Sequence, residues 1–438
     1  MSDFVFDKLC SCGRIHKSAS CEYTACKGAV DKIGEYSKKF NAKKAFVYGD
    51  INTYPIAGEK VCKILGECGI QTSSYVFSQK HTEPDETAVG SLFMHFDSEC
   101  DIIVAIGSGV MNDLGKILSK HTSKPYIIVA TAPSMDGYAS ATSSMAMDGV
   151  KVSLNTRCPD VIIGDTDILK TAPVHMIKSG LGDMIAKYTA ICEWRIANLL
   201  TGEYYCEGVA DFVRKSLEKC ISNADGVLIK DDACIEAVFE GLIGCGSAME
   251  YAGCSRPASG GEHYLSHIWD MRSLEFDTPM DLHGIQCAIG TLYSVKIYDK
   301  LKKYIPDKHK ALEYVNNFDF EKWSRELEVF VGAGALPMIA LEEKEQKYNK
   351  DMHKKRLEDI IDNWDKILDI INQEVPSSEE LEEILDKIQS PKSVEDIGMD
   401  LSVLPMSLKA SKDIRDKYVL PRLLWDLGIL DEVSNDLK

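Results

Sequence analysis

The chain has 438 residues, 45% of them hydrophobic, so it holds ample material for a large core and is expected to divide into two domains. Its formal charge of −18, from 50 Lys and Arg against 68 Asp and Glu, argues against binding nucleic acid or an anionic membrane through bulk electrostatics, so any anion must find a local site. No basic leader precedes an apolar run, no stretch approaches the roughly 20 apolar residues that span a bilayer, and an odd, scattered set of 15 cysteines fits reduced thiols; a cytoplasmic protein is expected.

The first cysteine-rich stretch, "CSCGRIHKSASCEYTAC", carries Cys10, Cys12, His16, Cys21 and Cys26. Its spacing departs from the paired C-x-x-C pattern of structural zinc sites, so it is not read as a metal site. Next come five short, β-branched segments, at 44–49, 73–77, 101–107, 126–133 and 160–165, which read as strands buried on both faces. Helical segments lie between them. "PIAGEKVCKILGECG" puts Ile56, Val61, Ile64 and Leu65 near one face, with Pro55 at its start and Gly69 at its end. The alternation predicts an α/β N-terminal domain, residues 1–170, with a parallel sheet and helical crossovers.

Within it, Asp50 ends "KAFVYGD", where a carboxylate can bond adenosine ribose hydroxyls or simply shape a turn. "DIIVAIGSGVMNDLGKILSK" runs from a strand through Gly107, Ser108 and Gly109 into a helix, the arrangement that offers a pyrophosphate unpaired backbone N–H groups. Asn112 stands where G-x-G-x-x-G has its last glycine, so on spacing alone the match is weak. Asp113 is placed in the first helical turn and Lys116 beyond it, either in solvent or at the ligand. In "ATAPSMDGYASATSSM", Thr131, Ser134 and Asp136 sit where the ligand crevice of an open α/β sheet lies, though a polar turn has the same composition.

From residue 171 to 438 the pattern becomes helical and predicts an all-α C-terminal domain. Leu357, Ile360, Ile361, Trp364, Ile367, Leu368 and Ile371 fall at helical spacing, and Ser377 with Glu380 forms a capping box. Asp183 stands in "SGLGDMIAKY", His263 and His267 lie four residues apart in "GGEHYLSHIWD", and "DLHGIQ" adds His283. One carboxylate and three imidazoles suit Zn²⁺, Fe²⁺ or Ni²⁺, without saying which of them bind.

"GSGVMNDLGK", "TAPSMDGYAS", "SGLGDMIAKY", "SRPASGGEHYLSHIWD" and "LHGIQCAIGT" resemble, in that order, the signature blocks of sn-glycerol-1-phosphate dehydrogenases, within the iron-containing alcohol dehydrogenase and dehydroquinate synthase superfamily. The resemblance runs from "CSCGRIHK" to "KASKDIRDKYVLPRLLWDLGIL", and "SRPASGGEHYLSH" is its most specific block. It implies a dehydroquinate synthase-like fold, a nucleotide-binding N-terminal domain, and a metal triad of Asp183, His263 and His283. His267 then becomes a residue at the substrate, a candidate to supply the alkoxide's proton, and Lys116 and Asp136 line the nucleotide and substrate site. Many relatives have three glycines where this chain has Gly107, Ser108 and Gly109.

The implied reaction is reduction of dihydroxyacetone phosphate to sn-glycerol 1-phosphate by NADH or NADPH with one divalent metal ion, a step in phospholipid metabolism. Asp50 favours NAD, because a carboxylate repels a 2′-phosphate. The substrate phosphate is expected at Arg256 and Ser259, on the N-terminal amides of the His263 helix. A homo-oligomer is expected, with a small phosphorylated triose or glycerol as its only other partner. A polyol dehydrogenase acting on unphosphorylated substrate is the nearest alternative, followed by a dehydroquinate synthase-like lyase and a regulatory protein without turnover.

Overall fold

The computed structural model describes residues 8–17, 20–147 and 150–437. Strands β1 (Glu22–Cys26), β2 (Lys44–Asp50), β3 (Gln71–Phe77), β4 (Ile102–Gly107), β5 (Tyr126–Ala130) and β8 (Val161–Asp165) form one sheet in the order β1-β8-β5-β4-β2-β3, every pairing parallel. All five expected strands are present. β1 and the antiparallel hairpin of β6 (Thr142–Met147) and β7 (Val150–Asn155) were not anticipated: β1 is an edge strand without a fully buried face, and "TSSMAM" has little β-branched character.

The crossovers carry α1 (Ile33–Lys39), α2 (Tyr54–Glu67), α3 (Glu86–His95) and α4 (Gly109–Thr122). Ala45, Val47, Val104, Ile106, Val129 and Ile163 pack with Val61 and Leu65 of α2 into one apolar core. Ala57, Val61 and Leu65 define the buried line of α2, and Ile56, one position off that line, is 39% exposed. β2 leads outward to β3 and β4 leads the other way to β5, so the carboxyl ends of β2 and β4 flank the topological switch point, where open α/β sheets bind ligands.

After α5 (Thr166–Leu169) come α6 (Val174–Ile185), α7 (Lys187–Thr201), α8 (Glu207–Ser222), α9 (Asp232–Ala252), α10 (Gly261–Phe276) and α11 (His283–Leu301). The chain divides into two compact units, residues up to 184 with 211–254, and 185–210 with 255–438. The division differs from a single cut at residue 170 because α9 belongs with the sheet: a Cβ on Gly164 of β8 would fall 1.9 Å from the Phe239 ring. The second unit is helical throughout. Its expected stripe from Leu357 to Ile371 is shared by two helices, Lys350–Asp362 and Trp364–Glu374, broken at Asn363, and the Ser377–Glu380 capping box is formed. Among the described residues no helix is long and apolar enough to cross a membrane.

Candidate active site

In the sheet-bearing unit, β4 ends at Gly107, Ser108 caps α4 without a side-chain hydrogen bond to its first turn, and α4 starts at Gly109. The first N–H groups of a helix have no carbonyl partner within it and carry the positive end of its dipole. Gly107 is required sterically, since a Cβ there would lie 2.5 Å from Cβ of Met111. The nearest atoms to a Cβ on Gly109 would be those of the Met135 side chain, at 3.5 Å or more. Asn112 is buried, donates to the Gly137 carbonyl at 3.1 Å and accepts from the Tyr126 hydroxyl at 3.1 Å. The tight helix-to-sheet approach that a third glycine allows is supplied instead by Gly115, where a Cβ would fall 2.4 Å from the Tyr126 ring.

Asp50, at the end of β2, accepts the N–H groups of Asn52 at 2.9 Å and Thr53 at 2.8 Å, both on Oδ1. Thr53 donates to the Ile106 carbonyl at 2.8 Å, tying this turn to β4. Asp50 therefore shapes a turn at the mouth of the switch point. Thr131 and Ser134 are buried on the segment after β5, where Thr131 N–H bonds Gly107 O at 3.0 Å and Ser134 O accepts from Ser179 at 2.9 Å. Further along, the Asp136 N–H donates to the carboxylate of fully buried Asp183 at 2.8 Å. Glycine makes that approach of α6 possible: a Cβ on Gly180 would sit 1.9 Å from the Pro133 carbonyl oxygen.

Lys116 does not stand in solvent. It is fully buried, its ammonium 2.9 Å from the Asp113 carboxylate and donating to the carbonyls of Gly137, at 3.1 Å, and Thr142. It clamps the loop 137–142 from beneath. Asp113 lies beyond the first turn of α4 as its partner; burial raises the Asp113 carboxyl, and Lys116 offsets that only in part.

In the helical unit, α10 and α11 are brought close by Gly290, where a Cβ would lie 2.8 Å from the Glu262 carbonyl oxygen. This places the His263 and His283 rings 5.1 Å apart and stacks His267 on His283 at 5.7 Å. Nδ1 of His263 is 2.8 Å from Glu262, whose carboxylate also accepts from Thr189 at 2.7 Å and from the Gly260 N–H at 2.6 Å. Nδ1 of His283 is 3.0 Å from the Ser266 hydroxyl, and Gln286 donates to both that hydroxyl and Asp270, at 3.1 and 2.7 Å. With the Nδ1 atoms so engaged, the Nε2 atoms are the ones that could serve as ligands. His263, His283 and Cys287 each offer one ligand atom within 4.8 Å of the other two. His267, Asp270 and His283 also meet that distance, but Asp270 is occupied by Gln286.

Cys287 was missed, although it lies one turn after His283 on α11, the same spacing that drew attention to His263 and His267. Burial raises its thiol, but the His263 and His283 imidazoles outweigh this and hold it below the ordinary thiol range. Glu193 was missed as well. It accepts the N–H groups of Gly261 at 2.8 Å and Leu420 at 3.0 Å, and burial together with the charge of Glu262 pushes its carboxyl up to about 8. Burial alone would raise Glu262 too, yet its bond to His263 holds it below the usual range, so Glu193 is the carboxyl of the two that keeps a proton.

These carboxyl groups lie where the substrate phosphate is expected. Two of the amides opening α10, those of Gly260 and Gly261, already donate to Glu262 and Glu193. Arg256 is 1% exposed and grips Glu203 with Nε, at 2.7 Å, and Nη2, while Nη1 bonds the Tyr418 carbonyl at 2.8 Å. The carbonyl of Ser259 accepts from Lys417 at 2.9 Å. Arg256 and Ser259 thus fasten the loop before α10.

Residues 24–173 match the family model described as iron-containing alcohol dehydrogenase. The chain is 28% identical to glycerol-1-phosphate dehydrogenase (NAD(P)+) of Halalkalibacterium halodurans, covering 94% of both chains. It is 32% identical to the protein of that name from Bacillus licheniformis, over 67% of this chain and 74% of the relative. The fold is similar to that of glycerol dehydrogenase from Schizosaccharomyces pombe, with a TM-score of 0.62 and 18% identity, covering 99% of this chain and 93% of that one. A 1,3-propanediol oxidoreductase gives a TM-score of 0.60 at 16% identity, over 96% of this chain and 100% of that one.

Proposed function

The chain belongs to the iron-containing alcohol dehydrogenase family, and on that premise we propose that it reduces dihydroxyacetone phosphate to sn-glycerol 1-phosphate with a nicotinamide cofactor. The observation that carries this reading is the imidazole pair of His263 and His283, each held by its Nδ1 so that Nε2 is presented. Two oriented imidazoles are donors that Zn²⁺, Fe²⁺ and Ni²⁺ all accept, and the set therefore fits a divalent ion. Asp183 is proposed to supply the carboxylate to the same ion. When bound, the ion polarises the substrate ketone and the nicotinamide provides the hydride.

The rest falls to the chain's own side chains. Glu262 fixes the His263 tautomer, and Ser266, backed by Gln286, does the same for His283. His267, stacked on His283, is proposed to hand a proton to the oxygen of the reduced substrate, and Asp136 to hold a substrate hydroxyl. The cofactor's pyrophosphate is proposed at Gly107, Ser108 and Gly109, with Thr131 and Ser134 beside it. Asp50 would accept from the ribose hydroxyls and favour NADH over NADPH. The phosphate on the substrate is the part of the reading that rests on the named relatives.

The test follows nicotinamide absorbance with NADH and NADPH in turn, offering dihydroxyacetone phosphate or dihydroxyacetone, with and without chelator. Oxidation that requires the phosphate and stops with chelator supports the reading. Equal or faster turnover of dihydroxyacetone would make the protein a polyol dehydrogenase, and no turnover of either would overturn the proposal.

A further inference from the structure

We propose that Cys10, Cys12 and His16 bind a structural zinc ion at the N-terminal hairpin, a site distinct from the imidazole pair on α10 and α11. The spacing C-x-C-x₃-H departs from paired C-x-x-C motifs, and the backbone shows how it works nonetheless. Leu9 and Ile15 form an antiparallel bridge, Cys10 N–H bonds Arg14 O at 2.9 Å, and Gly13 N–H bonds Cys10 O at 2.9 Å. Gly13 has φ +82°, the left-handed conformation that closes this turn. The Gly13-to-Cys10 bond makes 10–13 a tight turn with Cys12 inside it, and the Cys10 and Cys12 sulfur atoms lie within 4.8 Å of each other.

The donors converge: Cys10, Cys12 and His16 each offer a ligand atom within 4.8 Å of the other two, and Cys12 Sγ is 3.2 Å from His16 Nε2. Around a tetrahedral zinc, with Zn–S near 2.3 Å and Zn–N near 2.0 Å, neighbouring ligand atoms stand about 3.6–3.8 Å apart, inside the range these distances span. The surrounding contacts are also those of a metal site. Nδ1 of His16 meets the Tyr251 carbonyl at 2.9 Å, which keeps the proton on Nδ1 and turns the Nε2 lone pair toward Cys12. Arg14 donates to the Ala252 carbonyl at 3.0 Å. Both carbonyls lie in the last turn of α9, where helical carbonyls lack partners within the helix.

Packing gives the reason for a metal here. Leu9 is 74% and Ile15 61% exposed, so the hairpin buries almost no apolar surface, and an isolated two-stranded hairpin is marginal in water. A metal cross-link closes it. Two thiolates and an imidazole select zinc over magnesium or calcium, binding releases the two thiol protons to solvent, and a water or a further thiolate takes the fourth position.

The experiment counts metal in the full-length protein and then replaces it with cobalt(II). The wild type should carry one more zinc per chain than C10S/C12S, and the cobalt form of H263A/H283A should show sulfur-to-cobalt charge-transfer absorption that is lost when C10S/C12S is added to it. Should C10S/C12S fold poorly, H16N and the H263A/H283A spectrum carry the same test. Unchanged zinc content and absorption in the hairpin variants would overturn the proposal. So would rapid alkylation of both Cys10 and Cys12 in metal-replete wild type, the behaviour of a reactive thiol pair.

Discussion

At the β4–α4 turn the groups offered to the proposed dinucleotide are main-chain N–H groups, and side chains matter there by their absence, as at Gly107. On α10 and α11 the working groups are imidazoles, and each relies on another side chain, Glu262 or Ser266, to hold its proton on the right nitrogen. A backbone site is made by sterics and survives most substitutions that keep the turn. A side-chain site has layers, and removing either layer changes its chemistry. The comparison therefore predicts large, chemically specific losses on α10 and α11, and smaller, steric ones at the turn.

The largest effect should come from H263A or H283A. Each removes a metal ligand from the proposed centre, with a loss of activity on the order of 10³-fold or more and a matching loss of bound metal. Metal content measured beside turnover checks it; full activity in either variant would break the comparison. Next is K116M, which leaves the mostly covered Asp113 beside loop 137–142 without its cation. Breaking a buried ion pair costs about 3–5 kcal/mol, so denaturant unfolding should show the sheet-bearing unit badly weakened. Were Lys116 catalytic instead, stability would hold and turnover alone would fall. E262Q keeps an acceptor for His263 but removes the charge, and should lower metal affinity by about 10- to 100-fold, read by titration with metal.

How much of this was legible in the sequence follows the same division. The β4–α4 turn was readable because backbone sites leave a spacing signature, a β-branched run ending in glycines ahead of a helix. The imidazoles of the proposed metal centre were readable as residue types, yet the choice among His263, His267 and His283 rested on resemblance. Partnerships across the fold were not readable. Lys116 meets carbonyls more than 20 residues away, Glu193 caps α10 from α7, and Arg256 is consumed by Glu203; none of these pairings has a period or a spacing. Charge and a place just before the His263 helix made Arg256 a phosphate candidate, and the partner that engages its guanidinium, Glu203, lies 53 residues away. The convergence of the hairpin cysteines was hidden for a related reason: it goes with the turn at Gly13 and with anchors in α9.

The smallest and most discriminating effects are expected at the two glycines of the turn. G107A forces a Cβ to within 2.5 Å of Met111 Cβ, an atom fixed to the helix backbone, so the turn itself must shift. Overpacking of this kind costs about 1–3 kcal/mol, and thermal unfolding should report it with or without cofactor. G109A places its methyl at ordinary contact distance from the Met135 side chain, so stability should change by less than about 0.5 kcal/mol. A dinucleotide phosphate seated on the first amides of α4 needs that space, and the KM for nicotinamide cofactor should then rise in G109A while the melting temperature stays put. A G109A enzyme with unchanged cofactor KM would place the dinucleotide away from this turn, whereas a rise in KM without loss of stability assigns the turn to the ligand, because the protein itself makes no demand for glycine at that position.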